Sequence, residues 1–201
     1  ELDCPKDVTI SADDYACSAT YVVPRPKILE ECSDQLTYHL SYSPVNDFEE
    51  PFITDGVNQL TGTITGLPLG ENWVKWIVTD ECGNVSECIF DVDAVDNVRP
   101  TAVCDLFSVV SITGNGRAVV DAATFDDGSF DNCGLLRFDA RKMTDKCTFG
   151  TTLFTPTVEF CCEEVNTSIM VEFRVTDLSG NSNTCMVEIR VQDKLPPYIT
   201  K

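Results

Sequence analysis

The sequence predicts an all-β protein: two tandem immunoglobulin-like β-sandwich domains. Three observations carry that expectation, namely an internal repeat, a two-residue alternation of apolar and polar side chains, and a cysteine content suited to small stapled domains. The repeat is the most direct. Val74-Lys75-Trp76-Ile77-Val78-Thr79-Asp80-Glu81-Cys82-Gly83-Asn84 returns as Val171-Glu172-Phe173-Arg174-Val175-Thr176-Asp177-Leu178-Ser179-Gly180-Asn181. The correspondence continues without insertion, Cys88 onto Cys185, Val92 onto Ile189, Asp96 onto Asp193 and Pro100 onto Pro197. A constant offset of about 100 residues marks tandem copies of one small domain.

Within each copy the alternation defines strands. Val74, Trp76 and Val78 share one face and Lys75, Ile77 and Thr79 the other, as do Val171, Phe173 and Val175 against Glu172, Arg174 and Thr176. That period belongs to a half-buried strand. Gly83-Asn84 and Gly180-Asn181 then tolerate positive φ and predict a tight turn. The return strands place Cys88, Phe90 and Val92, and Cys185, Val187, Ile189 and Val191, inward. Further strands are expected over 7–11, 19–23, 36–42, 62–65, 107–112, 116–121 and 135–139, with Asn115-Gly116 as a hairpin turn. No segment carries sustained helical spacing with caps. Roughly seven short strands per copy describe an immunoglobulin-like sandwich whose last two strands are the repeated hairpin. The expected domains are 1–97 and 98–195, with 196–201 opening a further repeat of a longer array. The linker Val95-Asp96-Asn97-Val98-Arg99-Pro100 lacks glycine and ends in proline, which predicts a stiff connection.

Composition narrows the function. The chain has 201 residues, 33 acidic against 14 basic side chains and a net charge of −19. Nucleic acid and anionic membrane surfaces need clustered Lys and Arg, so neither is an expected partner. No apolar stretch approaches the roughly 18 residues of a spanning helix, so no membrane insertion is expected. Eleven cysteines with a single histidine and no Cys-x-x-Cys pair point to disulfides in an oxidising compartment rather than to zinc. Their odd number requires a cysteine left over or paired elsewhere.

Two acidic constellations suit calcium, which takes 6–8 oxygen ligands from flexible segments. Asp126, Asp127 and Asp131, with Ser129 and Asn132 among them, crowd one loop, and Asp177 before the second turn is expected at the same end of the sandwich. The linker aspartates Asp96 and Asp193 form the other set. The alternative for both is an Asx turn or a strand end with solvated carboxylates. Trp73, beside the inward Val74, should point outward and is the candidate ligand contact, with Phe48, Phe52 and Phe154 as further aromatics. Asn84-Val85-Ser86 and Asn166-Thr167-Ser168 match the N-glycosylation sequon. No nucleophile elbow, zincin helix or phosphate loop is present, His39 has no second histidine, and the acids lie in short loops without an evident cleft. An enzyme is not expected.

The order Thr-Asp-x-x-Gly-Asn, cysteine on the next strand, then Asp-x-x-x-Pro resembles the hyalin repeat (HYR) family, and Cys4-Pro5 followed by Val8-Thr9-Ile10 looks like that family's opening strand. The second copy, with Ala102-Val103-Cys104 and the run from Asp126 to Gly134, is similar to repeats of giant surface adhesins secreted by gliding Bacteroidota, of the SprB type. The resemblance spans nearly the whole chain but fits poorly over 46–70 and 142–164. It implies an extracellular, non-enzymatic, adhesive array or filament whose partners are neighbouring repeats, surface polysaccharide or other cells. The other readings are a carbohydrate-binding module or an accessory domain of a larger secreted enzyme. The Asp-x-x-x-Pro linkers are similar to those that calcium stiffens in cadherin-like arrays. First and last strands of such a sandwich lie side by side, so Cys4–Cys88 and Cys104–Cys185 are the expected disulfides, in agreement with the family's simplest members. Cys17–Cys32 and Cys133–Cys161 are the next expected pairs, with Cys82 as the odd thiol.

Overall fold

The repeated stretches form the longest strands of each copy because their alternating side chains bury one face along the full length. The computed structural model describes residues 2–29, 35–44, 52–147 and 151–196. The chain divides into two units, Glu1–Val98 and Arg99–Lys201.

In the first unit the described strands are β1 (Leu2–Asp3), β2 (Val8–Ser11), β3 (Ser18–Val22), β4 (Lys27–Ile28), β5 (Leu36–Ser43), β6 (Val57–Asn58), β7 (Thr63–Pro68), β8 (Gly70–Asp80) and β9 (Val85–Val95). The hairpin β8–β9 sets Val74 opposite Phe90 and Trp76 opposite Cys88. β5 adds antiparallel to β8 and β2 adds parallel to β9, giving the order β2-β9-β8-β5. The second sheet runs β3-β7-β6, and β1 pairs with β4 in a short ribbon. An opening strand laid parallel on the last one, with the rest divided between two sheets, is the immunoglobulin-like arrangement.

Both sheets supply the core, which joins Ala19, Ile64 and Leu67 to Leu40, Val74, Trp76, Phe90 and Val92. Trp76 is fully buried because its indole N–H has a partner, the Pro24 carbonyl at 3.0 Å, and Tyr38 meets its ring edge-on. Truncating so large a core side chain to Ala costs roughly 3–5 kcal/mol.

The second unit rebuilds the frame with β10 (Phe107–Ser111), β11 (Arg117–Asp121), β12 (Leu135–Lys142), β13 (Thr157–Cys161), β14 (Ser168–Asp177) and β15 (Ser182–Gln192). The main sheet is ordered β10-β15-β14-β12, with β10 again parallel to the last strand, and β11 pairs with β13. Val171, Phe173, Val175, Val187, Ile189 and Val191 face the core, as their alternation predicts. A 3-10 turn, Ala122–Phe125, follows β11; the Asp121 carboxylate accepts the Ala123 N–H and Phe125 drops into the core.

One local expectation needs correction. The Asn115-Gly116 turn forms, closed by Thr113 N–H to the Arg117 carbonyl at 2.9 Å, but it does not make a two-stranded hairpin. β10 pairs with β15 and β11 with β13, so the turn carries the chain from one sheet to the other. The stretch that fits the repeat poorly, 142–164, contains β13, which alternation did not reveal because Phe160 and Cys161 are both buried.

The disulfides Cys4–Cys88 and Cys104–Cys185 are present and pin the start of each unit to its last strand, closing 84 and 81 residues. By the chain-entropy model each contributes about 4 kcal/mol. The Cys133–Cys161 expectation is wrong, because Cys161 bonds Cys147. Cys133 lies just before the Leu135 end of β12, whereas Cys147 follows its Lys142 end, where Lys142 gathers Cys147 and Glu164 together. The eight residues of the strand set those ends roughly 23 Å apart, far beyond disulfide reach. Cys32, the expected partner of Cys17, lies outside the described residues. Cys82 is a free exposed thiol, and so is Cys162, which the sequence reading did not single out.

Candidate cation site

The Asp-x-x-Gly-Asn turn is built alike in both copies and finished differently. In the first, Asp80 Oδ1 accepts the N–H groups of Cys82 at 2.9 Å and Asn84 at 2.8 Å, and Oδ2 accepts the Asn84 side-chain amide at 2.7 Å. Gly83, with φ of 83°, makes the reversal without a Cβ penalty. The Asn84 side-chain amide is the largest cause holding the Asp80 carboxyl below its ordinary pKa, followed by the Asn84 backbone N–H. The sequon asparagine is thus occupied in the turn.

In the second copy Asp177 Oδ1 accepts the Asn181 N–H at 2.8 Å, but Oδ2 is buried without a hydrogen-bond partner and the residue is 0% exposed. The loop before β12 covers it. The Leu178 N–H donates to the Gly134 carbonyl at 3.2 Å, and Leu135 pairs with Asp177. Gly134 has φ of 104°, and a Cβ there would sit 3.4 Å from Leu178 Cδ1. That close passage brings Asp131 over the turn. Asp131 Oδ2 accepts the N–H groups of Cys133 at 2.8 Å and Gly134 at 3.1 Å, while Oδ1 is buried without a partner.

Asp131 and Asp177 therefore present carboxylate oxygens within 4.8 Å of each other. Two ionised carboxylates that close repel by roughly 3 kcal/mol even at an effective dielectric of about 20. A calcium ion takes 6–8 oxygen ligands, so these carboxylates could supply part of a metal's shell, with the remaining ligands from backbone carbonyls or water.

Asp126 and Asp127 are placed differently. Asp126 Oδ1 accepts the Ser129 N–H at 3.0 Å and stabilises its own loop, and Asp127 is exposed. Neither joins the Asp131–Asp177 pair. Asp96 Oδ1 accepts the Val98 N–H at 3.0 Å and Asp193 Oδ1 the Leu195 N–H at 2.9 Å, so both linker aspartates close the same two-residue turn. Asp96 is buried and Asp193 exposed.

One further acidic group lies on the first unit, where the Asp91 N–H donates to Asp7 Oδ1 and Glu71 pairs across with Asp93. Burial raises the Asp91 pKa first, and the charges of Glu71, Asp7 and Asp93 raise it further.

The aromatic candidates do not form an open platform among the described residues. Trp73 is half-buried opposite Asp91. Lys75 Nζ covers the Phe52 ring at 4.1 Å, and the guanidinium groups of Arg141 and Arg174 lie 4.5 and 4.0 Å from the Phe154 centroid. Phe48 lies outside the described residues. His39 stands exposed on β5. Asn166, with φ of 61°, serves the backbone by donating its N–H to the Val191 carbonyl.

No protein-family model matches the chain. Among solved structures it is similar to Sidekick-1 immunoglobulin domains 1–4, at 9% identity and a TM-score of 0.46, covering 96% of this chain and 48% of that one. It is also similar to human CDH23 EC21–23, at 14% identity and 0.44, covering 92% and 72%. The N-terminal four Ig domains of Dscam1 isoform 1.9 match at 11% identity and 0.38, covering 94% of this chain and 43% of that one.

Proposed function

We propose that this chain is a segment of an extracellular, disulfide-stapled repeat array on a cell surface, adhesive and structural rather than catalytic, of the HYR-like kind. Each copy, 1–97 and 98–195, acts as one link, with 196–201 leading into the next repeat. Neighbouring repeats are its first partners, and surface polysaccharide or other cells its targets. The observation that carries this reading is the placement of Cys4–Cys88 and Cys104–Cys185. Each bond ties the start of a unit to the strand that leaves it, so tension along the chain meets a covalent bond before the core. Calcium at Asp131 and Asp177, and calcium at the linker aspartates Asp96 and Asp193 as a second set, stiffens the array. The carbohydrate-module alternative loses ground, because Phe52 and Phe154 are covered by cations and Trp73 is half-buried.

Single-molecule pulling tests the mechanical role. Oxidised units should yield little extension on unfolding, since 84 and 81 residues are locked behind the bonds. Reduction should release roughly 280 Å more per unit at about 3.4 Å per residue. Equal extensions before and after reduction would remove the argument for load bearing.

A further inference from the structure

Neither the repeat nor the proposed function accounts for Lys142 of the second unit. It is a lysine at the end of β12 with its side chain 1% exposed. Its Nζ donates to Glu164 Oε1 at 2.9 Å and to Asp145 Oδ1 at 2.5 Å, and the Glu164 side chain is 0% and that of Asp145 9% exposed. Water is kept out by the Phe160 ring, 5.5 Å from Nζ, and by the Cys147–Cys161 disulfide, whose Cys147 Sγ lies 3.4 Å from Nζ. The Cys147 N–H donates to Asp145 Oδ1 and holds that carboxylate in place, while Asp145 Oδ2 is buried and accepts no hydrogen bond.

Buried ion pairs are a poor source of stability, because desolvating the charges offsets their attraction, and here two carboxylates face one ammonium. An amine held against a carboxyl group in a dry pocket, with a second carboxylate free to accept a proton, is instead arranged for condensation. Such fixed proximity replaces a bimolecular encounter and supplies much of the barrier lowering that the reaction needs.

The geometry points to an intramolecular amide between Lys142 Nζ and Glu164 Cδ, with Asp145 relaying the proton. Asp145 Oδ2 takes one proton from the ammonium group, and the freed amine attacks Glu164 Cδ. The C–O bond breaks, and the departing oxygen leaves as water with the relayed proton and a second proton from nitrogen. The third stays on the amide. Atoms and charge balance without an oxidant, a metal or a co-reactant. The product ties the end of β12 to the turn that leads into β14, beside the Cys147–Cys161 bond, and removes one buried charge pair. This inference rests on the second unit alone and is independent of calcium.

Intact-mass spectrometry of the fully reduced 201-residue chain tests it. The wild-type protein should weigh less than its sequence by one water, and Lys142→Arg and Asp145→Ala should both weigh what their sequences require. A tryptic digest of the wild type should contain one branched peptide joining Lys142 to Glu164. A wild-type protein that melts cooperatively yet shows the full sequence mass would overturn the bond. A branch at Asp145 would overturn the choice of acceptor, and a cross-linked Asp145→Ala variant would overturn the relay. The wild-type mass decides the main point even where a variant fails to fold.

Discussion

Asp177 Oδ1 accepts the Asn181 N–H at 2.8 Å inside a turn where its own Oδ2 meets no donor. Asp80 holds the same position in the first copy with both oxygens satisfied. One motif therefore does two jobs. In the first copy it is a self-contained turn lock, and in the second the 131–134 loop seals it and sets Asp131 beside it.

Calcium should raise the melting temperature, and Asp177→Asn or Asp131→Asn should abolish the response. A ligand at 100 times its Kd adds about 2.7 kcal/mol to stability. In chelator, Asp177→Asn should melt no lower than wild type, because it removes the like-charge repulsion. Asp80→Asn should leave the calcium response intact. Differential scanning calorimetry with calcium and with chelator reads all four arms, and an unchanged response in Asp177→Asn would sink the site.

The Asp80 turn has its own pH signature. Asn84 holds the folded carboxyl below its ordinary pKa, so the stabilisation is present above the unfolded pKa and is lost as pH falls through the folded value. Asn84→Ala should accordingly unfold more easily at neutral pH, with the difference from wild type closing well below about pH 4. Urea titrations across that range check it. A gap that persists unchanged in strong acid would mean that Asn84 acts through packing alone.

Asp91 has the opposite sign. Its pKa is raised by burial and then by Glu71, Asp7 and Asp93, so the folded state loses stability as pH rises above the unfolded pKa, and the penalty is complete once pH exceeds the folded value. Asp91→Asn should therefore raise the neutral-pH melting temperature by a few degrees at most, with the gain vanishing below about pH 4, where the wild-type carboxyl is protonated folded or unfolded. Thermal melts at two pH values suffice. Destabilisation at neutral pH would count against the electrostatic account.

Replacing Cys104 and Cys185 together by Ser should cost about 4 kcal/mol, because the unfolded second unit regains the freedom of an 81-residue loop. Denaturant unfolding gives the number directly. A loss below about 1 kcal/mol would show that the β10–β15 pairing holds without the bond.

Local periodicity makes much of this protein readable from its sequence. Val74, Trp76 and Val78, and Val171, Phe173 and Val175, name their buried face because a strand alternates whatever surrounds it. Asp80 and Asp177 declare their turns because the Asx hydrogen bond spans only a few residues. Even Cys4–Cys88 follows from the order of strands, once the first is known to lie on the last.

What lay beyond the sequence depends on residues that meet across the sandwich. Nothing near Asp177 says that its second oxygen is orphaned, since that depends on a loop more than 40 positions earlier passing close at Gly134. Cys161 gives no sign of choosing Cys147, because β13 loses its alternation where it is buried on both sides. Lys142 reads as an ordinary polar strand residue, and only packing against Phe160, Glu164 and the disulfide removes it from water. Alternation and turn chemistry are local and survive in the sequence alone. Burial of a charge and the pairing of distant side chains are properties of the folded surface, and tertiary structure decided them.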